Sequence, residues 1–214
     1  MADKNYTAAG RVVTGLSHPV VAKYNAPGGL EAGYTDGRVL ARLRSYDLNV
    51  STAGEGNQFY LDNTVGENAG DVFTSGTLTL VVDGLLPETE RFVYGLPEPK
   101  TITVDGQQIS YDPIGTDTAS TVLGLGMVVE YRCNNVTSYA PIIFAKTTFR
   151  QGGDSAATRE KQIDYQARSF TIDLARDDTA DHAWRYNITT YFDNEAAAID
   201  ALHKIMKVTG LWRS

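Results

Sequence analysis

The sequence predicts a mainly β protein of the α+β class, and three observations support that class. Apolar and polar residues alternate with a period of two along several segments, as in half-buried strands. Asp105-Gly106 and Asn134-Asn135 each separate two such segments, and these residue types tolerate the positive φ angles of tight hairpin turns. Only two segments have the features of helices. We therefore expect many strands joined by hairpins, with two helices added.

The strand predictions rest on this alternation. In the segment 76–83, Leu78, Leu80 and Val82 share one face, and Thr77 and Thr79 share the other. The same pattern predicts further half-buried strands at 101–104, 107–111, 170–174 and 184–188. The longest apolar strands are predicted at 121–133 and 136–149, on either side of Asn134-Asn135.

Three residues in these long strands predict local irregularity. Gly124 and Gly126 lie two apart, so they share one face of their strand, and bare backbone there indicates a bend or a closely packed neighbour. Pro141 lacks a backbone N–H, which predicts that this part of its strand lies at an edge or a bulge.

The first predicted helix begins near Pro87 and ends at Gly95. Proline and acidic residues are favoured in a first turn, and Glu88 and Glu90 follow Pro87. Its expected apolar side consists of Leu86, Phe92, Val93 and Leu96.

The second helix is predicted over about 194–208. Asp193 or Asn194 provides the N-cap, and Gly210 is expected to stop the helix. The apolar stripe consists of Ile199, Leu202, Ile205 and Met206.

Length and composition predict one soluble domain. The chain has 214 residues, 42% of them apolar and 21% charged, which is a globular composition. The single cysteine, Cys133, excludes a disulfide within the chain. No apolar run reaches the length of a membrane span, and the N-terminal residues lack a signal-peptide pattern, so we expect no membrane association and no export. Long connections are predicted at 26–37 and 51–70.

Acidic residues are concentrated in one segment. The formal net charge is −7, and eight acids with no Lys or Arg lie between Ser45 and Glu90, which leaves +1 for the rest. This distribution argues against tight nucleic-acid binding, which requires clustered cations. The eight acids are Asp47, Glu55, Asp62, Glu67, Asp71, Asp83, Glu88 and Glu90.

The segment 177–182 is the best candidate for a metal site. Asp177, Asp178, Asp181 and His182 offer three carboxylates and an imidazole within six residues. The segment lacks the alternate ligands, turn glycine and terminal Glu of a calcium loop. We therefore interpret it as a polar turn between two strands.

The remaining chemical motifs are weak. Gly124-Leu-Gly126 lacks the third glycine and the following helix of a dinucleotide site. His18, His182 and His203 have no partner nearby in sequence, and Cys133 has no visible base, so each is interpreted as a surface or strand-end residue. The sequence thus predicts no catalytic, cofactor-binding or metal-ligating residue, and a binding or assembly unit rather than an enzyme.

Three stretches resemble a known family. They are 34–46 (YTDGRVLARLRSY), 71–88 (DVFTSGTLTLVVDGLLPE) with 94–97 (YGLP), and 163–178 (IDYQARSFTIDLARDD) with 182–184 (HAW). In order and spacing the chain resembles the major tail proteins, or tail tube proteins, of long-tailed bacteriophages. The motifs are structural, and we expect no additional immunoglobulin-like domain of the kind that some members of the family carry.

The resemblance implies a β-sandwich of two packed sheets with a flanking helix, a C-terminal helix and long assembly loops. Residues 1–214 would form one tail tube domain, with an N-terminal arm at about 1–10 and the long loop at about 51–70. Six subunits would form a ring, each giving about four strands to a shared barrel. Roughly 24 strands about 4.8 Å apart and tilted ~40° give a backbone diameter of about 48 Å and a bore near 38 Å, wide enough for duplex DNA.

The resemblance also implies partners and a location. Hexameric rings would stack into a tube that contains a tape-measure protein and is bounded by tail terminator and distal tail or baseplate proteins. Double-stranded DNA would pass without specific binding, so we expect a bore that is negative or at most neutral. Asp105, Asp112 and Asp117 would add to the acids of 45–90 there. The protein would be found in the virion tail, after assembly in the host cytoplasm, and no cofactor is implied.

Three alternatives remain at this point. A tube protein of a contractile tail or a secretion system would share the fold. A β-sandwich hydrolase would need an acid pair or triad, and none is visible. A glycan-binding sandwich would need exposed aromatic residues, for which Tyr34, Tyr46 and Tyr60 are the candidates.

Overall fold

The computed structural model of the protein describes residues 10–53, 58–61, 64–68, 72–115, 120–151 and 167–209, with backbone only from 53 to 68. In these ranges the chain forms two helices, α1 (Pro87–Tyr94) and α2 (Glu195–Met206), and twelve strands. The strands are β1 (Val12–Tyr24), β2 (Tyr34–Val39), β3 (Leu43–Ala53), β4 (Gln58–Leu61), β5 (Thr64–Asn68), β6 (Val72–Val82), β7 (Lys100–Val104), β8 (Gln107–Tyr111), β9 (Val122–Cys133), β10 (Val136–Phe149), β11 (Arg168–Ala175) and β12 (Arg185–Asn187).

Eight of the described strands form one antiparallel sheet. Seven of them follow the order β2-β1-β9-β10-β11-β6-β3, and β12 pairs with β10. The strand β10 shares one edge between two neighbours, because Ile142–Phe144 pair with β12 and Lys146–Phe149 pair with β11. An extra residue in β10 between Phe144 and Thr147, a β-bulge, separates the two pairings. The hairpins β4-β5 and β7-β8 form two further small sheets.

The mainly β prediction is therefore confirmed, with two helices, whereas the expected pair of separate sheets is replaced by one continuous sheet. Its two halves enclose a single core, because side chains of β9 and of β6 and β11 belong to one cluster of buried residues. Bulges in β1 and β10 bend the sheet locally, and this lets strands far apart in its order face each other. Representative members of this core are Leu125, Met127, Leu78, Leu80, Phe170 and Ile172, with Phe92 and Val93 of α1.

The helix α2 covers the other face of β1, β9 and β10. Ala198, Leu202 and Met206 are fully buried against Val20, Val128 and Ile143. Asn194 caps the helix by accepting a hydrogen bond from the Ala197 N–H at 2.8 Å. The predicted N-cap is thus confirmed, and Ile199 and Ile205 lie half-buried beside the stripe.

The C-terminal end of α2 differs from the prediction. Lys207, with φ 52° in the left-handed region, ends the helix in place of Gly210. The Lys207 N–H closes this turn by donating to the His203 carbonyl, and the Lys207 carbonyl accepts a hydrogen bond from Gly37 N–H at 3.1 Å, which links the end of α2 to β2. Gly210 lies outside the described residues.

Several turn and close-packing predictions are confirmed. Asn134 and Asn135 have φ angles of 48° and 64° in the β9-β10 hairpin, and Asp105 and Gly106 have 50° and 82° in the β7-β8 hairpin. Gly95 ends α1 in the left-handed region. A Cβ at position 126 would lie 2.6 Å from Leu202 Cδ1, so this glycine does admit a close neighbour.

Other predictions need correction. The strands β7 and β8 are exposed at every position rather than half-buried, because nothing in the described chain packs on either face. Leu86 is 72% exposed, since it precedes the helix and does not join its apolar side. Pro141 lies in an interior strand, paired with Val128, and its missing N–H faces the point where the β12 ladder ends.

The expected long connections also contain structure. The hairpin β4-β5 lies within 51–70, and β2 begins inside 26–37. Of the N-terminal arm at 1–10, only Gly10 belongs to the described residues, where it is exposed.

Candidate functional site

The uncovered part of the sheet carries a polar surface, which we call the hydroxyl face. The register aligns Asp47, Thr79 and Thr171 in one row across β3, β6 and β11, and Asn49, Thr77 and Asp173 in the next. Thr148 of β10 extends the second row beside Asp173. Six of its ten residues carry hydroxyl groups. The hydroxyl face consists of Ser45, Asp47, Asn49, Thr77, Thr79, Val81, Thr148, Ser169, Thr171 and Asp173.

The alternation that builds this surface is strict. In β11 the residues Phe170, Ile172 and Leu174 are buried, while Ser169, Thr171 and Asp173 lie on the opposite side. In β6 the buried residues are Gly76, Leu78, Leu80 and Val82. The hydroxyl face is therefore the back of the core strands, and the core fixes its orientation.

The charges of the hydroxyl face are few and mostly neutralised. Arg150 donates two hydrogen bonds to the Asp173 carboxylate, each 2.7 Å long. Lys146, at the margin, lies 2.9 Å from Asp178. Asp47 is exposed and has no ion-pair partner among the described residues. Arg44 is exposed at a bulge beside the face, so the surface is negative or at most neutral.

The acids of 45–90 whose side chains are described do not form one surface. Asp83 lies 3.9 Å from Arg42, and Glu90 lies 2.7 Å from Arg168. Asp112 pairs with Arg91 at 3.2 Å, and Asp105 lies in the exposed β7-β8 turn. Among those predicted acids whose side chains are described, only Asp47 lies on the hydroxyl face. Glu55, Asp62, Asp71, Asp117 and the Glu67 side chain lie outside the described residues.

The two ends of the large sheet differ. At one end, β2 is held by α2, through the Gly37 hydrogen bond and a bridge between Gly37 and Val208. At the other end, β3 pairs with β6 on one side, and its second side has no strand partner among the described residues. This eleven-residue edge offers backbone groups to another strand.

The β7-β8 hairpin is amphipathic. Ile102 pairs with Ile109, and Lys100 with Tyr111, which places three of the apolar side chains on one face. Val104 lies on the same face, and these four are 43–47% exposed. Thr101, Thr103, Gln108 and Ser110 form the other face.

The turn 177–182 serves a structural purpose. The Asp177 carboxylate, 1% exposed, accepts hydrogen bonds from the Tyr186 hydroxyl and from Thr179 Oγ1 at 2.7 Å. Asp178 accepts from the Tyr24 hydroxyl at 2.9 Å as well as from Lys146. This fits the interpretation as a polar turn, and no group of three or more metal-ligating side chains is found among the described residues.

The network at this turn also shifts two pKa values. Burial, followed by the hydrogen bond to Asp177, raises the pKa of Tyr186 to about 12. The hydrogen bond from Lys146, then that from Tyr24, lowers the pKa of Asp178. Asp178 is therefore ionised and Tyr186 protonated at neutral pH.

The other sequence candidates are scattered. Cys133 is half-buried at the end of β9, and His182 lies in the exposed turn with φ 49°. Of the aromatic residues considered for glycan binding, Tyr34 is 1% exposed and Tyr46 packs edge-on against Phe144. Tyr60 has no described side chain. The structure does bring His18 and His203 together, which sequence spacing did not reveal.

The comparisons with known proteins add no relative. No protein-family model matches the chain, and no curated protein sequence matches it. Among the described residues, neither helix has the length and apolar character to cross a membrane.

Proposed function

We propose that this chain is a structural tube subunit, the major tail tube protein of a long-tailed bacteriophage, whose hexameric rings stack into a conduit for double-stranded DNA. The observation that carries the proposal is the hydroxyl face: a polar, weakly acidic surface built on four adjacent strands. On one side this surface ends at β3, whose long outer edge has no strand partner among the described residues. The sequence resemblance supplies the tube assignment, and the surface is compatible with it.

The hydroxyl face suits a bore wall for physical reasons. Hydroxyl groups hold a layer of water and, because they are uncharged, add no counterion release to their contacts with phosphate, whereas unpaired cations bind phosphate through that release. Three cations lie beside this face: Lys146 and Arg150, each paired with a carboxylate, and Arg44, whose single charge is balanced in number by that of Asp47. A wall of this composition lets DNA slide past. Asp47 would appear six times in each ring and would repel DNA that approaches the wall, over a range of about 8 Å at physiological salt.

The open edge of β3 suits ring closure. The order of strands ends at β3, and four strands of each subunit are the number that the resemblance implies for a shared barrel. In a ring, β3 of one subunit would pair with a strand of the next subunit, so the open β3 edge of every subunit would be covered. The partners in this proposal are further copies of the chain, a tape-measure protein and tail-end proteins.

Electron microscopy of the concentrated protein tests the proposal. We expect rings or tubes in negative stain, with a bore wide enough for duplex DNA. Replacement of Ser45 and Asn49 of β3 by Lys should prevent assembly, because charged side chains along an edge oppose strand pairing. Replacement of Thr101 and Thr103 by Lys, on the polar face of β7, is the matched control and should assemble normally.

A wild-type protein that stays monomeric in light scattering at every accessible concentration and shows no rings would overturn the tube proposal. Assembly that proceeds unchanged in the Ser45→Lys, Asn49→Lys variant would overturn the assignment of β3 as the pairing edge.

A further inference from the structure

His18 and His203 meet in an open cleft between β1 and α2. Their Nε2 atoms lie 2.6 Å apart, the ring centroids are 4.8 Å apart, and the ring planes are inclined by 38°. The cleft has a volume of about 620 Å³ and is open to solvent, with Ser17, Glu195 and Ile199 also in its lining. The Nε2 atoms of two imidazoles that are 185 residues apart in sequence thus point toward each other.

The backbone places His18 there at a conformational cost. Its φ angle is 55°, in the left-handed region that non-glycine residues rarely adopt. An extra residue in β1 between Ser17 and Val20, relative to β9, forms a bulge at the same position. Bulges redirect side chains and occur often beside functional sites. The helix supplies the second ring, since the burial of Leu202 and Met206 fixes the face on which His203 lies.

The surroundings favour neutral imidazoles. Burial, and then the neighbouring His203, lower the pKa of His18, while Glu195 acts in the opposite direction. Burial also lowers the pKa of His203, against the effect of Asp200. The other charged group in the lining is Arg42, which lies 3.9 Å from Asp83. Neutral imidazole is the form that binds metals, and the ring that donates the hydrogen bond between the two Nε2 atoms must carry its proton on Nδ1 instead before both rings can bind one ion.

We propose that His18 and His203 form a two-histidine site for a divalent transition-metal ion, with Zn²⁺ or Ni²⁺ as the chemical class, which links β1 to α2. Zn–N bonds of about 2.0–2.1 Å at a tetrahedral angle place two ligand nitrogens about 3.4 Å apart, so the Nε2 atoms need to separate by roughly 0.8 Å. Rotation of rings that border an open cleft provides this distance.

The remaining coordination positions are left to water or to a ligand from outside the chain. Glu195 accepts a hydrogen bond from Ser17 Oγ in the same cleft, and its carboxylate could also accept a hydrogen bond from a metal-bound water and so orient it. Imidazole nitrogen suits zinc, nickel and copper better than calcium or magnesium. The site is independent of the tube proposal, because it requires only the folded subunit.

Zinc titration tests the site directly. At pH 7.5, isothermal titration calorimetry of the full chain should give one ion per chain, and the melting temperature should rise with Zn²⁺ and return with EDTA. His18→Gln and His203→Gln should each weaken binding by about tenfold or more. The chain has three histidines and one cysteine, so His182→Gln and Cys133→Ser are the matched controls and should bind normally.

Nitrogen NMR of the wild-type imidazoles keeps the test decisive where a variant folds poorly. Zn²⁺ should shift the Nε2 resonances of two of the three histidines and leave the third, His182, in place. The proposal is overturned if wild-type protein shows no shift at millimolar Zn²⁺, if His182 is the residue that responds, or if folded His18→Gln and His203→Gln proteins bind as wild type does.

Discussion

Tyr34 lies directly against the bare backbone of Gly124. A Cβ added at position 124 would stand 2.2 Å from Tyr34 Cε1, and the Tyr34 hydroxyl donates a hydrogen bond to the Ala145 carbonyl at 3.2 Å. The ring thus spans from edge strand β2 to the interior strand β10, across β1 and β9. Position 124 must remain a glycine for this contact to exist.

We expect Gly124→Ala to destabilise the fold by about 1–3 kcal/mol, because the Tyr34 ring must move out of a well-packed site. Chemical denaturation measures this. Gly115→Ala is the control, since a Cβ there meets nothing within 4 Å, and its stability should stay within about 0.5 kcal/mol of wild type. Equal effects at both positions would show that the close approach is relieved without cost.

Leu202→Ala should cost about 2–5 kcal/mol, because the side chain is fully buried between α2 and the sheet. The melting temperature reports the loss. Ile205→Ala is a suitable comparison, since Ile205 is only half-buried and should cost less. A melting temperature unchanged by Leu202→Ala would mean that α2 does not pack on the sheet in solution.

Deletion of residues 55–67 should leave the subunit folded and abolish tube formation. The β3-β6 ladder extends to the pair Ala53 and Val72, so the five residues that remain between them can close a hairpin loop. Circular dichroism should stay that of a β protein, while microscopy should show no tubes. Long tubes from the deletion variant would contradict a role for this segment in assembly.

Positive charge on the hydroxyl face should make assembled tubes retain DNA. Thr79→Lys with Thr171→Lys changes the charge by +2 per chain at two half-buried positions of one row, away from the β3 edge. Thr101→Lys with Thr103→Lys gives the same change elsewhere and is the control. Salt-dependent DNA retention by the first variant alone is the expected result. Equal retention by both would place the hydroxyl face outside the bore.

Acid should weaken the link between Asp178 and Lys146. Because this contact lowers the folded pKa of Asp178 below its ordinary value of 3.8, its stabilising effect is present above that value and is lost as the pH falls through the folded pKa. Denaturation of wild type and Asp178→Asn should therefore differ at pH 6 and converge near pH 2. A constant difference across this range would show that the pair does not titrate with folding.

Much of the fold could be predicted from local patterns. The alternation of Leu78, Leu80 and Val82 identified an inward face, and Asn194 and Asn134-Asn135 identified a cap and a turn through their own backbone preferences. Such features depend on residues a few positions apart. The end of α2 at Lys207 was not predictable in this way, because Lys207 adopts a left-handed conformation that favours glycine and the chain beyond it pairs with distant Gly37.

The candidate surfaces were harder to predict for the same reason. Alternation shows that Asp47, Thr79 and Thr171 point away from the core, but only the strand order places them side by side. The contact between His18 and His203 depends on a bulge and on the docking of α2, so neither histidine carried a local signal. A single sequence therefore lacks, above all, the information about which strands that are far apart in the chain lie side by side in the sheet.

The extra residue between Phe144 and Thr147 reverses the alternation of β10, so that even-numbered side chains point inward before it and odd-numbered side chains point inward after it. Before it, Ile142 and Phe144 point into the core. After it, Thr147 and Phe149 do so, which leaves Lys146 and Thr148 on the outside. Loss of one residue here would exchange the two sets, exposing Phe149 and burying Lys146 and Thr148. The backbone of Ala145 is fixed by two hydrogen bonds, since its N–H donates to the Trp184 carbonyl and its carbonyl accepts from the Tyr34 hydroxyl. We therefore expect natural insertions and deletions to avoid this position.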